Sequence, residues 1–350
     1  MMHPLNELII ESFDPNTASE QIWEAYFHYS EKGYFEERLG DPPPPRELVR
    51  RDLLTHFPGY ESKRWLVFKD ESRTSVIASL ILGYSVQDDP AYELNKNLAW
   101  PRIFVDRNYR RTGIGRQLLS LLIEEVRKIN RSSLEAFASI PDGIDTCRHL
   151  GGLDAICSSE NRLDMDHVDW EMVEQWVVQG TQNNPETKII QCSAVPEDLI
   201  ADFCNVLTEC SQTSPHGELE SRDVYTTELR RTWEQKDAER GKERITLFTL
   251  EPDGHISSIT EMTYIPEMPD RLFQEWTGVK VSDRQRGLGK WLKAQMLLRV
   301  RQRYPNVQIV ITGNADNNES MLSINRRLGF KTFRSGITFK FDVQELSKQL

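Results

Sequence analysis

The sequence has few cysteines, no long hydrophobic run and no excess of basic residues. Its five cysteines are an odd number and include no C-x-x-C pair, which argues against a disulfide framework or a zinc knuckle and favours a reducing compartment. No stretch approaches the roughly 20 apolar residues that a membrane-spanning helix needs. Residues 1–7 lack the basic flank and apolar core of a secretory signal. We therefore expect a cytoplasmic protein without a membrane partner.

The charge balance argues against a further class of partner. The 350 residues include 43 Lys and Arg against 54 Asp and Glu, which gives a net charge of −11. Because proteins that bind nucleic acid are usually basic, we expect no nucleic-acid partner. The acidity suits a cationic or amine ligand, although solubility alone also accounts for it.

Several catalytic motifs are also missing. The sequence contains no G-x-S-x-G and no H-E-x-x-H, so neither a serine hydrolase of that type nor a zinc peptidase is indicated. We find no group of residues with the spacing of metal ligands, and we predict no metal.

One segment occurs twice, 174 positions apart. The first copy runs from Val105 to Gly115 and the second from Val279 to Gly289, and both contain R-x-x-G-x-G before a helical pattern of apolar residues. A repeat this long indicates duplicated domains. We predict an N-terminal domain over 1–165, a connecting helix and linker over 166–186, and a C-terminal domain over 187–350.

Each copy combines a short apolar strand, a glycine loop and an amphipathic helix. The helix N-terminus has unpaired amide groups and a partial positive charge, and the glycines let a phosphate approach the backbone. A Walker loop is excluded because Arg284 stands where its first glycine belongs. A dinucleotide fingerprint fails because Leu118 and Leu292 replace its third glycine. An ordinary strand-to-helix turn is the remaining alternative to a diphosphate site.

These motifs resemble the acetyl-CoA signature of the GNAT superfamily of N-acetyltransferases. The second half also carries a segment similar to the later asparagine motif of that family, where Asn314–Met321 leads into Asn325–Phe330. The resemblance is closest to the tandem group that includes mycothiol synthase. It implies an α/β (α+β mixed sheet) fold with two tandem GNAT-like domains, each a twisted, mostly antiparallel sheet flanked by helices.

The resemblance also implies that acetyl-CoA is the cofactor and that the glycine segments are its candidate binding elements. In the second half the implied contacts are Val279, Val281, Arg284, Gln285, Arg286, Gly287, Leu288, Gly289, Lys290 and Asn318. In the first half they are Val105, Arg110, Arg111, Thr112, Gly113, Ile114, Gly115 and Arg116.

The two halves differ outside the glycine segments. In the first half, residues 140–143 replace the asparagine region and Gly151-Gly152 replaces Gly329-Phe330. Pro101 stands at the position of Glu275 and removes both a carboxylate and a backbone donor. The first half is therefore expected to hold cofactor or only the fold, and the second half is expected to be catalytic.

The transfer that the resemblance implies needs a base, because an alkylamine with a pKa near 10 must lose a proton before it attacks. Glu275 is the first candidate, since an unbroken strand would put it on the same face as Val279. Glu261 on the preceding strand is the second candidate. His216 is more simply explained as a surface residue. A backbone N–H near Val279 is expected to meet the oxyanion.

The general acid is left open. Many relatives have a Tyr where this chain has Asn325, whose amide can donate a hydrogen bond but cannot protonate a thiolate. Tyr264, a water molecule or no acid at all are the alternatives. Asn318 is either a pantetheine contact or a simple helix cap.

The leading prediction is a GNAT-type enzyme that transfers acetyl from acetyl-CoA to the amine of a small molecule in a ternary complex. A CoA-binding regulatory pseudoenzyme and a protein or peptide N-acetyltransferase are the alternatives. The sequence leaves the acceptor, the length of the acyl group and the oligomeric state open.

Overall fold

The computed structural model describes residues 8–38 and 40–350, and their contacts form two compact units. The first unit runs to Ile156 and also contains Gly217–Ser221 and Gly336–Leu350, whereas the second contains Cys157–His216 and Arg222–Ser335. Each unit therefore includes chain from both halves of the repeat.

The first unit is a six-stranded sheet with helices on its faces. Its elements are β1 (Ile9–Ser12), α1 (Glu20–Glu37), α2 (Arg46–Leu54), β2 (Tyr60–Phe68), β3 (Val76–Ser85), α3 (Tyr92–Asn95), β4 (Leu98–Val105), α4 (Ile114–Lys128), β5 (Ser133–Ala138), α5 (Pro141–His149), the end of β12 (Lys331–Asp342) and α11 (Val343–Ser347). The strand order is β1-β2-β3-β4-β5-β12. Only β4 and β5 pair in parallel; the other neighbours are antiparallel.

Two apolar clusters hold the first unit together, one on each side of the sheet. On one side, α4 buries Leu118, Leu122 and Val126 against strand residues that include Leu80. On the other side, α1 contributes aromatic residues such as Trp23. The apolar residues of α4 recur at helical spacing, as the sequence predicts.

The second unit repeats this plan with six strands and also contains the start of β12. Its elements are the end of β6 (Leu153–Asp164), α6 (Trp170–Asn183), β7 (Lys188–Cys192), α7 (Ile200–Gln212), α8 (Thr227–Glu239), β8 (Glu243–Leu250), β9 (Ile256–Tyr264), β10 (Arg271–Val279), α9 (Leu288–Arg303), β11 (Ile309–Ala315), α10 (Glu319–Leu328) and the start of β12. The strand order is β6-β11-β10-β9-β8-β7, and only β10 and β11 are parallel.

The second unit also has a core on each side of its sheet. Leu292, Met296 and Val300 of α9 pack with α6 on one side, and α7 packs Phe203 against the other. Trp176 of α6 is 2% exposed, so the helix within the predicted 166–186 connector is a core element of this unit.

The last strand of each unit comes from the opposite half of the repeat. Ser158–Asp164 of β6 pair with β11 in the second unit, and Ile337–Asp342 of β12 pair with β5 in the first. The predicted mixed sheets flanked by helices are confirmed. No helix in the described part of the chain is long and apolar enough to cross a membrane.

Candidate active site

The glycine loop of the second unit joins β10 to α9 and points the amides of the helix start into open space. Gln285 and Gly287 have φ angles of 69° and 78°, a left-handed conformation that costs glycine little. Gly287 precedes α9, and no side chain caps the helix. A Cβ at Gly287 would have no atom within 4 Å. The start of α9 therefore has the geometry of an anion site.

The glycine loop of the first unit has the same backbone. Arg111 and Gly113, which stand 174 positions before Gln285 and Gly287, have φ angles of 61° and 91°. A Cβ at Gly113 or Gly115 would have no atom within 4 Å. Both loops therefore have the same backbone conformation and open space at the glycine.

The loop arginines differ in their partners. Both brace the strand end, since Arg110 Nε donates to the Val105 carbonyl at 3.1 Å and Arg284 Nε to the Val279 carbonyl at 3.3 Å. Arg110 also pairs with Glu36 at 2.6 Å. Arg284 donates to the Thr213 hydroxyl at 2.6 Å and has no ion-pair partner among residues 8–38 and 40–350. The charge of Arg284 is thus less neutralised than that of Arg110.

The other predicted cofactor residues of the two loops have varied surroundings. Ile114 and Leu288 are each 1% exposed, so their side chains are closed to a ligand. Arg286 is held by Asp283 at 2.8 Å and Glu251 at 2.9 Å. Thr112 Oγ1 donates a hydrogen bond to the Tyr109 carbonyl, and Arg116 donates one to the Leu350 carbonyl. Lys290 lies over the Trp176 ring, and the Val281 amide donates to Glu209.

The sheet of the second unit splits beside its glycine loop. β10 pairs with β11 only as far as Gln274, opposite Thr312. β11 then continues beside β6 to Ala315, and β10 continues beside β9 to Val279. The split leaves backbone groups of β10 without a neighbouring strand, directly before the loop.

A β-bulge lies at the point where the strands part. Three steps along β10, from Gln274 to Thr277, match two steps along β9, from Met262 to Thr260. Glu275 and Trp276 are the bulged residues. A bulge leaves its extra residue unpaired and turns the side chains that follow. Gln274 Nε2 stabilises the bulge by donating to the Trp276 carbonyl at 3.0 Å.

The bulge makes one sequence argument wrong. We expected Glu275 and Val279 to share a face, but the extra residue breaks the alternation. Thr277 and Val279 face α9, since a Cβ at Gly289 would lie 3.9 Å and 3.4 Å from their methyl groups. Trp276 packs on the opposite side, with the α7 cluster.

Glu275 lies among charged groups on the side of α7 and α8. Its side chain is exposed, but the surrounding protein atoms desolvate the carboxyl and raise its pKa. Arg244 opposes that shift, whereas the negative charges of Glu261 and Asp237 reinforce it. An exposed carboxylate with a raised pKa has the properties of a general base.

Glu261 is held in a buried ion-pair network. Arg230 donates two hydrogen bonds to its carboxylate, at 2.8 and 3.0 Å, and Thr246 Oγ1 donates another at 2.6 Å. Burial by itself would raise the pKa of Glu261, but Arg230 and Arg244 outweigh it and keep the pKa below its usual value. Glu261 is 1% exposed. These contacts suit a structural carboxylate better than a base.

The asparagine motif forms the start and the inner face of α10. Asn318 is the helix cap, and its Oδ1 accepts from the Met321 amide at 3.3 Å. Asn325 is buried and donates to Asn314 Oδ1 at 2.8 Å. Its own Oδ1 is buried and has no hydrogen-bond partner among the described residues. Two further candidates lie elsewhere: the His216 ring is 2.9 Å from the Ser214 carbonyl, and Tyr264 packs against Tyr304.

The first unit has no such bulge. β4 keeps a continuous register with β3, from Trp100 opposite Gly83 to Val105 opposite Ala78. Pro101 lies within this regular stretch, opposite Leu82. Because proline has no N–H, this strand lacks a donor where the second unit has Glu275.

Side chains also close the strand split of the first unit. The last paired residues of β4 and β5 are Ala99 and Leu134. The side chains of the next residues are hydrogen-bonded to each other, since Trp100 Nε1 donates to Glu135 Oε2 at 3.2 Å. Glu135 Oε1 accepts the amides of Glu220 and Ser221 at 2.7 and 3.1 Å. The segment Gly217–Ser221 thus covers the split.

Our sequence analysis missed three side chains at these splits. Gln274 braces the bulge, Glu135 closes the first split, and Lys293 of α9 is buried near α10. For Lys293 a signal was present, since the repeat offset aligns it with Leu119. Nothing in the sequence marks Gln274 or Glu135, whose roles depend on neighbouring strands.

Part of the chain is similar in sequence to a known protein family. Residues 20–142 match the sequence profile of the acetyltransferase (GNAT) family. This segment is therefore similar to the GNAT acetyltransferases. This family consists of acyl-CoA N-acyltransferases. No curated protein sequence matches the chain significantly.

Solved structures of GNAT proteins share the fold of this chain over nearly its whole length. A tandem GNAT protein from the clavulanic acid biosynthesis pathway has a TM-score of 0.74 at 20% identity, over 96% of this chain and 99% of that one. A GCN5-related N-acetyltransferase from Sphaerobacter thermophilus has a TM-score of 0.66 at 15% identity, over 96% of both chains.

A third structure shares the fold over part of its length. It is a glucosamine N-acetyltransferase region in a fungal multi-domain β-N-acetylglucosaminidase, with a TM-score of 0.63 at 12% identity, over 97% of this chain and 38% of that one. The chain thus has the tandem GNAT fold, as its repeated motif predicts.

Proposed function

We propose that the second unit transfers an acetyl group from acetyl-CoA to the amine of a small molecule while both are bound. The observation that carries this proposal is the bulge at Glu275–Trp276, where β10 leaves β11 and leads into an open glycine loop. The first unit lacks this bulge.

The residues of the second loop suit the diphosphate of CoA. The uncapped start of α9 presents its amides, the space in front of Gly287 is open, and Arg284 has no carboxylate partner among the described residues. Helix N-termini and arginine both favour phosphate. Acetyl-CoA supplies the activated acyl group as a thioester.

We assign Glu275 the role of base. It takes a proton from the acceptor amine, directly or through water, so that the neutral nitrogen attacks. Its raised pKa makes it a stronger proton acceptor than an ordinary carboxylate. Thr277 and Val279 face α9 and its glycine loop, whereas Glu275 lies on the α7 and α8 side. This arrangement lets donor and acceptor meet across the split from opposite faces.

The backbone at the bulge is suited to the developing oxyanion. A bulge leaves an N–H outside the strand ladder, and a fixed amide at the reacting carbonyl stabilises negative charge. This donor lies at Glu275–Trp276, three to four residues before the Val279 position expected from the sequence.

The first unit is proposed to support the fold without transferring acyl groups. Trp100 and Glu135 join β4 to β5 where a thioester would have to enter, and Gly217–Ser221 cover that position. Its open loop at Gly113 still permits phosphate binding.

A CoA-release assay with a panel of acceptors tests the proposal. The panel contains small-molecule amines, including glucosamine, and peptides with free N-terminal or lysine amines. We expect release of CoA with at least one small amine. Release with peptides alone would indicate a protein N-acetyltransferase. Thermal stabilisation by CoA without turnover of any acceptor would contradict the proposal and favour a regulatory pseudoenzyme.

A further inference from the structure

Lys293 on α9 is a buried cation without a carboxylate partner. Its residue is 2% exposed, and its Nζ lies 3.9 Å from Met321 Sδ and 5.3 Å from the centre of the Phe330 ring. No carboxylate pairs with it in the described chain. Burying an unpaired ammonium is unfavourable, and the first repeat has Leu119 at this position. Packing alone would therefore favour leucine here.

The position of Lys293 along α9 places it level with the bulge. Gly289 and Lys293 are four residues apart on α9 and share a face, and Gly289 faces Thr277 and Val279. Since β10 and β11 are parallel, α9 runs back along β10. One helical turn of about 5.4 Å corresponds to roughly two strand residues. Lys293 is therefore level with Glu275–Trp276, on the opposite face from Glu275.

The α10 residues that face Lys293 provide no acid. Met321 and Asn325 are four residues apart on α10 and share a face, and an amide cannot supply a proton to a thiolate. Tyr264 packs against Tyr304 and lies opposite Leu272, on the far side of the bulge from the loop.

The charged groups on these elements have other partners. On α10, Glu319 pairs with Arg326 at 3.0 Å, and Arg327 lies over the Trp176 ring of α6. Lys290 on α9 lies over that ring as well. The titratable group of β10 at this level is Glu275, on the opposite side of the sheet.

We propose that Lys293 is the general acid that protonates the sulfur of CoA as it leaves. This inference rests on the proposed acetyl transfer in the second unit. The amine nitrogen bonds to the thioester carbon, the carbon–sulfur bond breaks, and its electron pair moves to sulfur. Sulfur takes a proton from Lys293 Nζ, and Glu275 takes one from the amine. Neutral Lys293 and protonated Glu275 then recover their starting states by exchange with solvent.

The electrostatics of the site support this role. Burial lowers the pKa of Lys293 to about 7, below the value of about 8.5 for a thiol, so transfer to the thiolate is favourable. The Met321 contact places Nζ between α9 and α10.

Kinetics of Lys293→Met test the proposal in the presence of an accepted amine. Met keeps the length of the side chain and removes the proton. We expect kcat to fall about 100-fold, with little change in KM for acetyl-CoA. The wild-type kcat should decline as pH rises through the Lys293 pKa, and this decline should be absent in the variant. An unchanged kcat, or a decline that persists in Lys293→Met, would overturn the proposal.

A second measurement is independent of any acceptor. The ¹³Cε signal of Lys293, assigned by its loss in Lys293→Met, is titrated by NMR with CoA and with desulfo-CoA, which lacks the sulfur. A contact with sulfur predicts different Lys293 titrations in the two complexes. Identical titrations would overturn the proposal for Lys293 and leave the proposed acetyl transfer intact. Lys293→Leu, which reproduces the first repeat, serves as a second folded variant if Met destabilises the unit.

Discussion

The two units have nearly the same glycine loop but different strands before it. In both loops a residue two positions before the glycine has a positive φ, and the glycine itself faces open space. In the second unit the preceding strand bulges and parts from its neighbour, whereas in the first it stays regular and the split is closed by Trp100 and Glu135. The loop geometry is therefore conserved between the two units, whereas the geometry of the strand before it is not.

The difference has a local physical cause. A glycine loop needs only backbone freedom and a helix start, which a few adjacent residues provide. An acyl-transfer site also needs an unpaired amide, a base and a route for the acceptor between two strands. In the first unit, Pro101 lies in a regular strand pair and Trp100 is hydrogen-bonded to Glu135, while the loop keeps the same backbone conformation.

Substitution of the two loop glycines should show the largest difference in activity between the two units. Asp at Gly287 puts a negative charge at the diphosphate site and strains a residue with φ of 78°. We expect Gly287→Asp to lower kcat/KM by at least about 1000-fold and Gly113→Asp to change it by less than about threefold.

CoA release and calorimetric counting of acetyl-CoA sites measure both effects. Gly151→Asp, at a glycine with φ of 81° and no atom within 4 Å of its Cβ position, controls for backbone strain alone. Loss of activity in Gly113→Asp with full activity in Gly287→Asp would assign catalysis to the first unit instead.

Removal of the proposed base should have the next largest effect. Glu275→Gln keeps the shape of the side chain and cannot accept the proton, so we expect kcat to fall about 100-fold. Because the pKa of Glu275 is raised, the wild-type rate should decline with falling pH from a higher pH than for an ordinary carboxylate. The variant should lose that acidic limb. A pH profile of Glu275→Gln that matches the wild type would rule out this base.

Changes at Glu135 should affect stability but not catalysis. Glu135→Gln puts an amide NH2 where an oxygen accepts from Trp100 or from the Glu220 and Ser221 amides. We expect the free energy of unfolding to fall by about 1–3 kcal/mol and kcat to stay unchanged. Urea unfolding and CoA release measure the two quantities. Glu124→Gln, at an exposed helix position, is the matched control. A large change in kcat for folded Glu135→Gln would show that the first unit takes part in catalysis.

The sequence by itself predicted the repeated loop and the ends of its strands at Val105 and Val279, and the family resemblance of its motifs implied the mixed sheets. It also marked Pro101, since the loss of an N–H and a carboxylate follows from residue type. These features depend on a few adjacent residues, so their signals are local.

Only the tertiary structure revealed the bulge, the closed first split and the exchange of β6 and β12 between the units. Glu275 and Glu261 look alike in the sequence, but Arg230, which lies 31 positions before Glu261, pairs with only one of them. Strands and helices distant in sequence determine three properties: the side of the sheet on which Glu275 lies, the ion pair of Glu261 and the burial of Lys293. Register and long-range packing decide such properties, because alternation along one strand carries no information about its neighbour.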